Sequence, residues 1–266
     1  MNSLQLYYRY LAISIRGQMQ YRASFLLQAL GHLAATGIEF FTIWALFSRF
    51  GSLQGWALPE VALLYGMVNV AFSFTDAFSR GFDMFGRMVR MGDFDRLLLR
   101  PRSTVLQLAG QELTMRRIGR FSQGIVVLTW AMHQLSLDWS LAQLGLLVAA
   151  ILGGACFFFG LIVLQATTAF WTVESLEMFN AFTYGGVHAS QYPMTIYRGW
   201  FRRLMIYVIP LATVTYFPAL ALLGRPDPLG TPFLFQCLSP LIGVAFLLVS
   251  FQVWKIGVRH YCSTGS

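Results

Sequence analysis

Residues 141–171, LAQLGLLVAAILGGACFFFGLIVLQATTAFW, contain no Asp, Glu, Lys or Arg in 31 positions. About 20 apolar residues in helical form cross the ~30 Å hydrocarbon core of a bilayer, and within lipid only helices and closed barrels satisfy every backbone N–H and C=O. A run of this length predicts a membrane-spanning helix. Similar runs occupy 24–47, 60–78, 118–135 and 233–254. The fold class they imply is an all-α membrane protein, one transmembrane domain over 1–266 with room for about six helices.

Composition agrees and excludes other classes. The chain is 56% apolar with a mean hydropathy of +0.59, against roughly 45–50% apolar in an ordinary soluble domain. Its net charge of +8 does not indicate nucleic acid, because the arginines flank the apolar runs instead of forming one stripe with interleaved aromatics. They read as anchors to an anionic leaflet. Cys156, Cys237 and Cys262 lack metal-ligand spacing and read as small packing residues. Before the first span, Leu4, Tyr8, Leu11 and Ile15 fall on one helical face and Gln5, Arg9, Arg16 and Gln20 on another. Residues 1–22 are expected to form a helix lying in the interface, or else one packed on other protein. No small-residue cleavage site follows a short apolar region, so the first run is read as a retained span.

Charge is concentrated between Arg80 and Arg120, where nine arginines and four acids stand together. The N-terminal segment, this region and the C-terminal tail hold 14 of the 19 cations. Because short cytoplasmic connections retain Lys and Arg, both termini and the charged segment are expected on the cytoplasmic side.

Residues 172–232 allow two arrangements. Hydropathy makes 206–223 the fifth span and leaves 173–203 as a cytoplasmic connection, placing 17 of 19 cations inside. The alternative makes 175–192 the fifth span, followed by a hairpin that dips into the outer leaflet. Pro193, Pro210 and Pro218 would break such a hairpin into short pieces, tolerable where its backbone is buried in protein or faces water. The cation count favours the first arrangement.

Two stretches, GDFDRLLLRP at 92–101 and YPMTIYRGWFRRLMIYVIPLATVTYFPALALLG at 192–224, together resemble the permease subunits of type-2 ATP-binding-cassette exporters. The matching positions of the second are Tyr192, Pro193, Trp200, Phe201, Arg202, Pro210, Leu222 and Gly224. The resemblance implies six spans, a coupling helix within a cytoplasmic segment 80–112 between spans two and three, and re-entrant exterior helices over 193–226. It therefore selects the second arrangement against the cation count. Phe201 stands where leucine is usual, and Glu174 and Glu177 where many relatives carry an Arg-Asp pair.

The resemblance also implies partners: two ATPase subunits holding ATP-Mg, and a second permease copy or a sister permease, in a bacterial cytoplasmic (inner) membrane. The chain itself is expected to be a non-catalytic transport subunit with no cofactor or metal. Phe94, Leu97 and Leu98 would anchor the coupling helix in a groove of the ATPase, Asp93, Asp95, Arg96 and Arg100 would set its register, and Pro101 would end it. The competing reading is an interfacial loop that touches only lipid phosphate. Arg116, Arg117 and Arg120 read as lipid anchors. Substrate would pass between permeases along spans one, two and five, past Phe40, Phe41, Phe72, Phe74, Phe179 and Phe182, although core packing explains the same rings.

The residues support a separate energy source. No GxxxxGK[ST] loop is present, and Lys255, the one lysine, has no glycine cradle. His32, His133, His188 and His260 are scattered, and Ser175 and His188 are thirteen residues apart, about 20 Å along a helix, which argues against catalysis. The rival is an ion- or proton-coupled secondary transporter using Glu39 and Asp76, acids within spans. No internal repeat of the kind common in such carriers is evident. In AAILGG (149–154), Ala149 stacks over Gly153 and Ala150 over Gly154, a small-residue face for close helix approach, within the chain or between subunits. Trp44, Trp56 and Trp139 on one side, and Trp171 and Trp254 on the other, are expected in interfacial belts.

Overall fold

The computed structural model describes residues 12–13, 15–17, 20, 22–111, 118–135, 137–172 and 176–263, and of 176–180 the backbone alone. The expected interfacial helix therefore lies almost wholly outside the described residues. So do Arg116, Arg117, Glu174, Ser175 and the side chains of Glu177 and Phe179. Among the described residues the chain is all-helical, with one isolated bridge between Leu53 and Trp56.

Four helices among the described residues are long and apolar enough to cross a membrane: α1 (Arg22–Phe50), α2 (Leu58–Phe78), α8 (Leu141–Thr168) and α14 (Pro240–His260). Two shorter helices join the bundle, α7 (Ile118–Gln134) and α9 (Leu176–Ser190). Their 17 and 15 residues span about 25 and 22 Å at 1.5 Å per residue, and each begins directly after undescribed residues. The sequence placed these elements to within a few residues, except that the last run divides at Ser239 into α13 (Phe233–Leu238) and α14. Helix α14 continues to His260, so Lys255 and Arg259 lie on it and not beyond it.

The centre of the bundle is α2. Its apolar window is 83% buried, against 17% for α1 and 22% for α14, which places those two at the periphery. Helix α2 packs on α7 and α8, α7 carries α1, and α8 carries α14. Close approach depends on glycine where α8 meets α14. A Cβ on Gly243 would stand 2.1 Å from the Gly153 carbonyl oxygen, and one on Gly153 would stand 2.5 Å from that of Pro240. Gly154 meets Ala71 of α2. The AAILGG face is thus used for packing inside the chain.

The bundle has two distinct poles. At one, Arg225 Nε meets Glu60 Oε1 at 2.8 Å, Arg225 Nη2 donates to the Gly55 carbonyl at 2.9 Å, and the guanidinium lies 4.7 Å from the Trp56 ring centroid. This clamp ties the 224–232 loop to the turn between α1 and α2. At the other pole, at the far end of α2, the charged segment folds against the ends of α8 and α14.

Between α9 and the clamp the backbone is broken, as the prolines foretold. After a 3₁₀ turn (Met194–Ile196) come α10 (Gly199–Arg203), which runs into a π-helical turn (Leu204–Val208), then α11 (Leu211–Val214) and α12 (Tyr216–Leu223). The two halves meet at 71°. Pro210 has no N–H to continue a helix and its ring drives Ile209 out of helical geometry, to φ −119° and ψ 88°. Residues 206–223 are therefore not the single straight helix that hydropathy suggested. Leu211, beside the bend, packs on Gly186 of α9, where a Cβ would lie 2.9 Å from Leu211 Cδ1.

Candidate functional site

The charged segment forms four short helices: α3 (Arg80–Asp83), α4 (Phe85–Arg90), α5 (Phe94–Leu98) and α6 (Thr104–Ala109). Gly92 takes φ +71°, a left-handed conformation that costs glycine little, and the Asp93 N–H then bonds the Met88 carbonyl at 3.0 Å. That turn reverses the chain from α4 into α5. Gly81 lets α3 meet α6, since a Cβ there would stand 2.1 Å from the Leu108 carbonyl oxygen.

Helix α5 sits on an aromatic cluster. The Phe94 ring lies 5.0 Å from Phe85, 5.6 Å from Phe170, 6.5 Å from Trp254 and 5.0 Å from Tyr261, all edge-on. Phe85 in turn packs 4.8 Å from Trp254, and Phe82 lies 5.5 Å from Phe159. Such edge-to-face pairs each contribute about 0.5–1.5 kcal/mol beyond their buried area. Phe94 has no exposed surface and Leu97 is 8% exposed.

This corrects the expected division of labour. Phe94 and Leu97, three residues apart, share the inward face of α5 and hold it to its own bundle, so they are not free to anchor a partner. Leu98 and Leu99 point outward, 41% and 85% exposed, beside exposed Arg96, Arg100 and Pro101. Leu99 was not among the expected anchors, although it is the third leucine of the same LLL run. Trp254 is likewise buried and donates from Nε1 to Thr104 Oγ1 at 2.9 Å, so it is not a belt residue.

Polar contacts complete the seat. Gln107 Nε2 donates to the carbonyls of Leu97 (3.2 Å) and Arg102 (3.1 Å), fixing α6 to the end of α5. Asp95 Oδ2 accepts from Ser263 Oγ at 2.6 Å. Burial, then the neighbouring Asp95 carboxylate, push the Tyr261 phenol above its ordinary pKa of 10. Asp93 and Arg96 approach at 3.7 Å in solvent, a pair of little energetic weight. Clefts of about 420 and 340 Å³ flank α5 and share Met88, Asp93 and Gln111.

The phenylalanines proposed for a cargo path divide into two groups. Phe72 is fully buried, 5.3 Å from Phe158 and 5.5 Å from Tyr184, and belongs to the core of the chain. Phe40 is half-buried against Tyr65 and Trp130. Phe41 and Phe74 face outward from α1 and α2 at 61% and 50% exposure, Phe41 stacked on Trp44. Phe182 is half-buried, and the Phe179 side chain lies outside the described residues.

A polar seam links α1, α2 and α7. Arg120 Nε donates to Asn69 Oδ1 at 2.8 Å with its guanidinium 5.3 Å from the centre of the Phe72 ring. Asn69 Nδ2 donates to the Tyr65 carbonyl at 2.9 Å, Tyr65 Oη donates to the Thr36 carbonyl at 3.1 Å, and Gln123 Nε2 donates to Tyr65 Oη at 3.2 Å. Arg120 thus faces the bundle and is not a lipid anchor. Thr36, Asn69 and Gln123, polar residues inside apolar runs, were the overlooked signal. Glu39 lies half-buried near this seam, close enough to act electrostatically on Tyr65, and its Oε2 has no hydrogen-bond partner. Asp76 is buried and accepts from Ser79 Oγ at 3.3 Å. Among the described residues no group of His, Cys, Asp and Glu could hold a metal ion.

Compared with known proteins, residues 33–265 match the family model described as ABC-2 family transporter protein, a match that covers α2 to α14 and most of α1. No curated protein and no solved structure matches.

Proposed function

The chain belongs to the ABC-2 family of transporter proteins, and from that premise we propose that it is the permease subunit of an ATP-driven exporter. Membership makes it the membrane domain of an ABC transporter, a transport component associated with ABC ATPase subunits. The proposal adds that two such ATPases bind ATP-Mg and supply the energy, and that a second permease, a copy or a sister chain, completes the path. Six helices, α1, α2, α7, α8, α9 and α14, cross the bacterial cytoplasmic membrane with both termini inside, and 193–226 enters and leaves from the exterior. Cargo moves outward along the permease–permease interface, where outward-facing Phe41 and Phe74 are the aromatic contacts.

The observation that carries this reading is helix α5. It presents exposed Leu98 and Leu99 ringed by arginines, and its inner face is packed through Phe94 on Phe170, just past the end of α8, and on Trp254 of α14. A short, rigid, amphipathic helix of this kind suits insertion in a groove of a partner. The test is transport in proteoliposomes holding the chain with and without its ATPase. Expected is uphill movement only with the ATPase and hydrolysable ATP. Uphill movement by the chain alone, driven by an imposed ion gradient and abolished by Glu39→Gln, would overturn the proposal in favour of an ion-coupled carrier.

A further inference from the structure

Between α6 and α14, behind the ring cluster that seats α5, lies a groove of about 950 Å³. Val105 and Leu106 of α6, Phe159 of α8, and Leu248 and Phe251 of α14 give it an apolar lining. Lys255 and Arg259, one turn apart on α14, also border it, and no acidic side chain does. Among the described residues neither cation forms an ion pair, and Lys255 reaches the Gln252 side chain at 3.4 Å. Along α14, Leu241, Val244, Leu248 and Val249 are all exposed at 41–62%, so the groove is continuous with a face suited to acyl chains.

Apolar walls exclude a free phosphate or nucleotide as the main occupant, and two unpaired cations at the mouth favour a headgroup with net negative charge. Basic pockets between membrane helices on the cytoplasmic side suit such headgroups. We infer that this groove binds one anionic glycerophospholipid, its phosphate against Lys255 and Arg259 and an acyl chain along Val105, Phe159 and Phe251. The proposed orientation is needed only to name the leaflet, which is the cytoplasmic one. Because α6 also holds α5 through Gln107, the bound lipid braces the coupling helix from behind.

The test uses the full chain in detergent, titrated with phosphatidylglycerol or phosphatidylcholine of identical acyl chains and read by native mass spectrometry. One phosphatidylglycerol is expected to be retained, with about 30-fold weaker retention in the Lys255→Gln, Arg259→Gln double variant, taking two phosphate-facing cations at the usual surface strength. Val105→Trp, which keeps both charges but projects an indole into the acyl-chain path, should weaken it as well, whereas Arg202→Gln, Arg203→Gln on the broken segment should not. Should either groove variant fail to fold, a photoreactive acyl chain on phosphatidylglycerol is expected to label peptides containing Val105 or Phe251 in the unaltered chain. Equal retention of the two lipids, full retention by folded groove variants, or labelling confined to other helices would overturn the inference. These outcomes are separate from transport, so they stand or fall independently of the exporter reading.

Discussion

If Leu98 and Leu99 are the docking contacts, replacing both with serine should release the ATPase without unfolding the permease. Burying a whole leucine side chain contributes roughly 2 kcal/mol. Leu99 still has 85% of its surface to bury and Leu98 41%, so complete docking of both is worth about 2.5 kcal/mol, or about 60-fold in Kd. The assay is titration of the purified ATPase against the chain in nanodiscs, with the thermal midpoint measured alongside. The double variant should keep the wild-type midpoint, because neither side chain supports the core. Phe94→Ala should do the opposite at first hand, losing about 3–5 kcal/mol of packing and lowering the midpoint. Wild-type affinity in the serine variant, together with weakened affinity and an unchanged midpoint in Phe94→Ala, would refute the assignment of inward and outward faces.

Gly243→Ala should lower the thermal midpoint by several degrees, because its new methyl would meet the Gly153 carbonyl and overpacking of this kind costs about 1–3 kcal/mol; Gly145→Ala, with nothing within 4 Å, is the silent control. A double-mutant cycle of Glu60→Gln and Arg225→Gln should give a coupling of about 1 kcal/mol in denaturation experiments, since the pair at 2.8 Å is only 12% and 33% exposed. A cysteine at Arg198 should react with an impermeant thiol reagent from outside intact cells; protection until permeabilisation would replace the proposed exterior segment with a cytoplasmic one.

The positions of the long helices were legible because about 20 predominantly apolar residues have few alternatives in a bilayer, and the breaks in 193–224 because proline has one physical consequence inside a helix. That the charged segment folds apart from the long helices was legible for the same reason in reverse. Which way α5 faces was not. A helix of five residues is less than two turns and contains no period from which to read an inner face, and its partners come from Phe85, Phe170, Trp254 and Tyr261, as much as 167 positions away in sequence. Trp254 was misplaced because a tryptophan near a span end reads as an interfacial anchor when its neighbours are unknown. Arg120 failed similarly: its partner, Asn69, is 51 residues distant, and Gln123, one turn along α7, shows that this stretch carries polar groups without showing what they meet.

The two non-local clusters divide the bundle in a way that bears on how force would pass through it. Rings from α3, α4 and α5 are interleaved with Phe159 and Phe170 at the end of α8 and with Trp254 of α14, and close-packed interiors of this sort transmit displacement without much compression. A push on α5 should therefore move α8 and α14 with it. On the other side of α2, Gln123 and Tyr65 hold the Thr36 carbonyl, and Arg120 holds Asn69, so that α1, α2 and α7 are cross-linked by hydrogen bonds that would be left unsatisfied if the helices separated. Between the halves lie Thr75 donating to the Ala155 carbonyl at 2.8 Å, the Phe72–Phe158 pair and the Gly154–Ala71 contact. Across this seam α8 meets α2 through one hydrogen bond, one ring pair and one small-residue contact, and in the proposed exporter it is where the two halves would move relative to each other. In the proposed exporter, nucleotide-driven movement of the ATPase would thus enter at Leu98 and Leu99, pass through the Phe94 cluster, and appear as a shift of α8 and α14 against a comparatively fixed α1–α2–α7 wall.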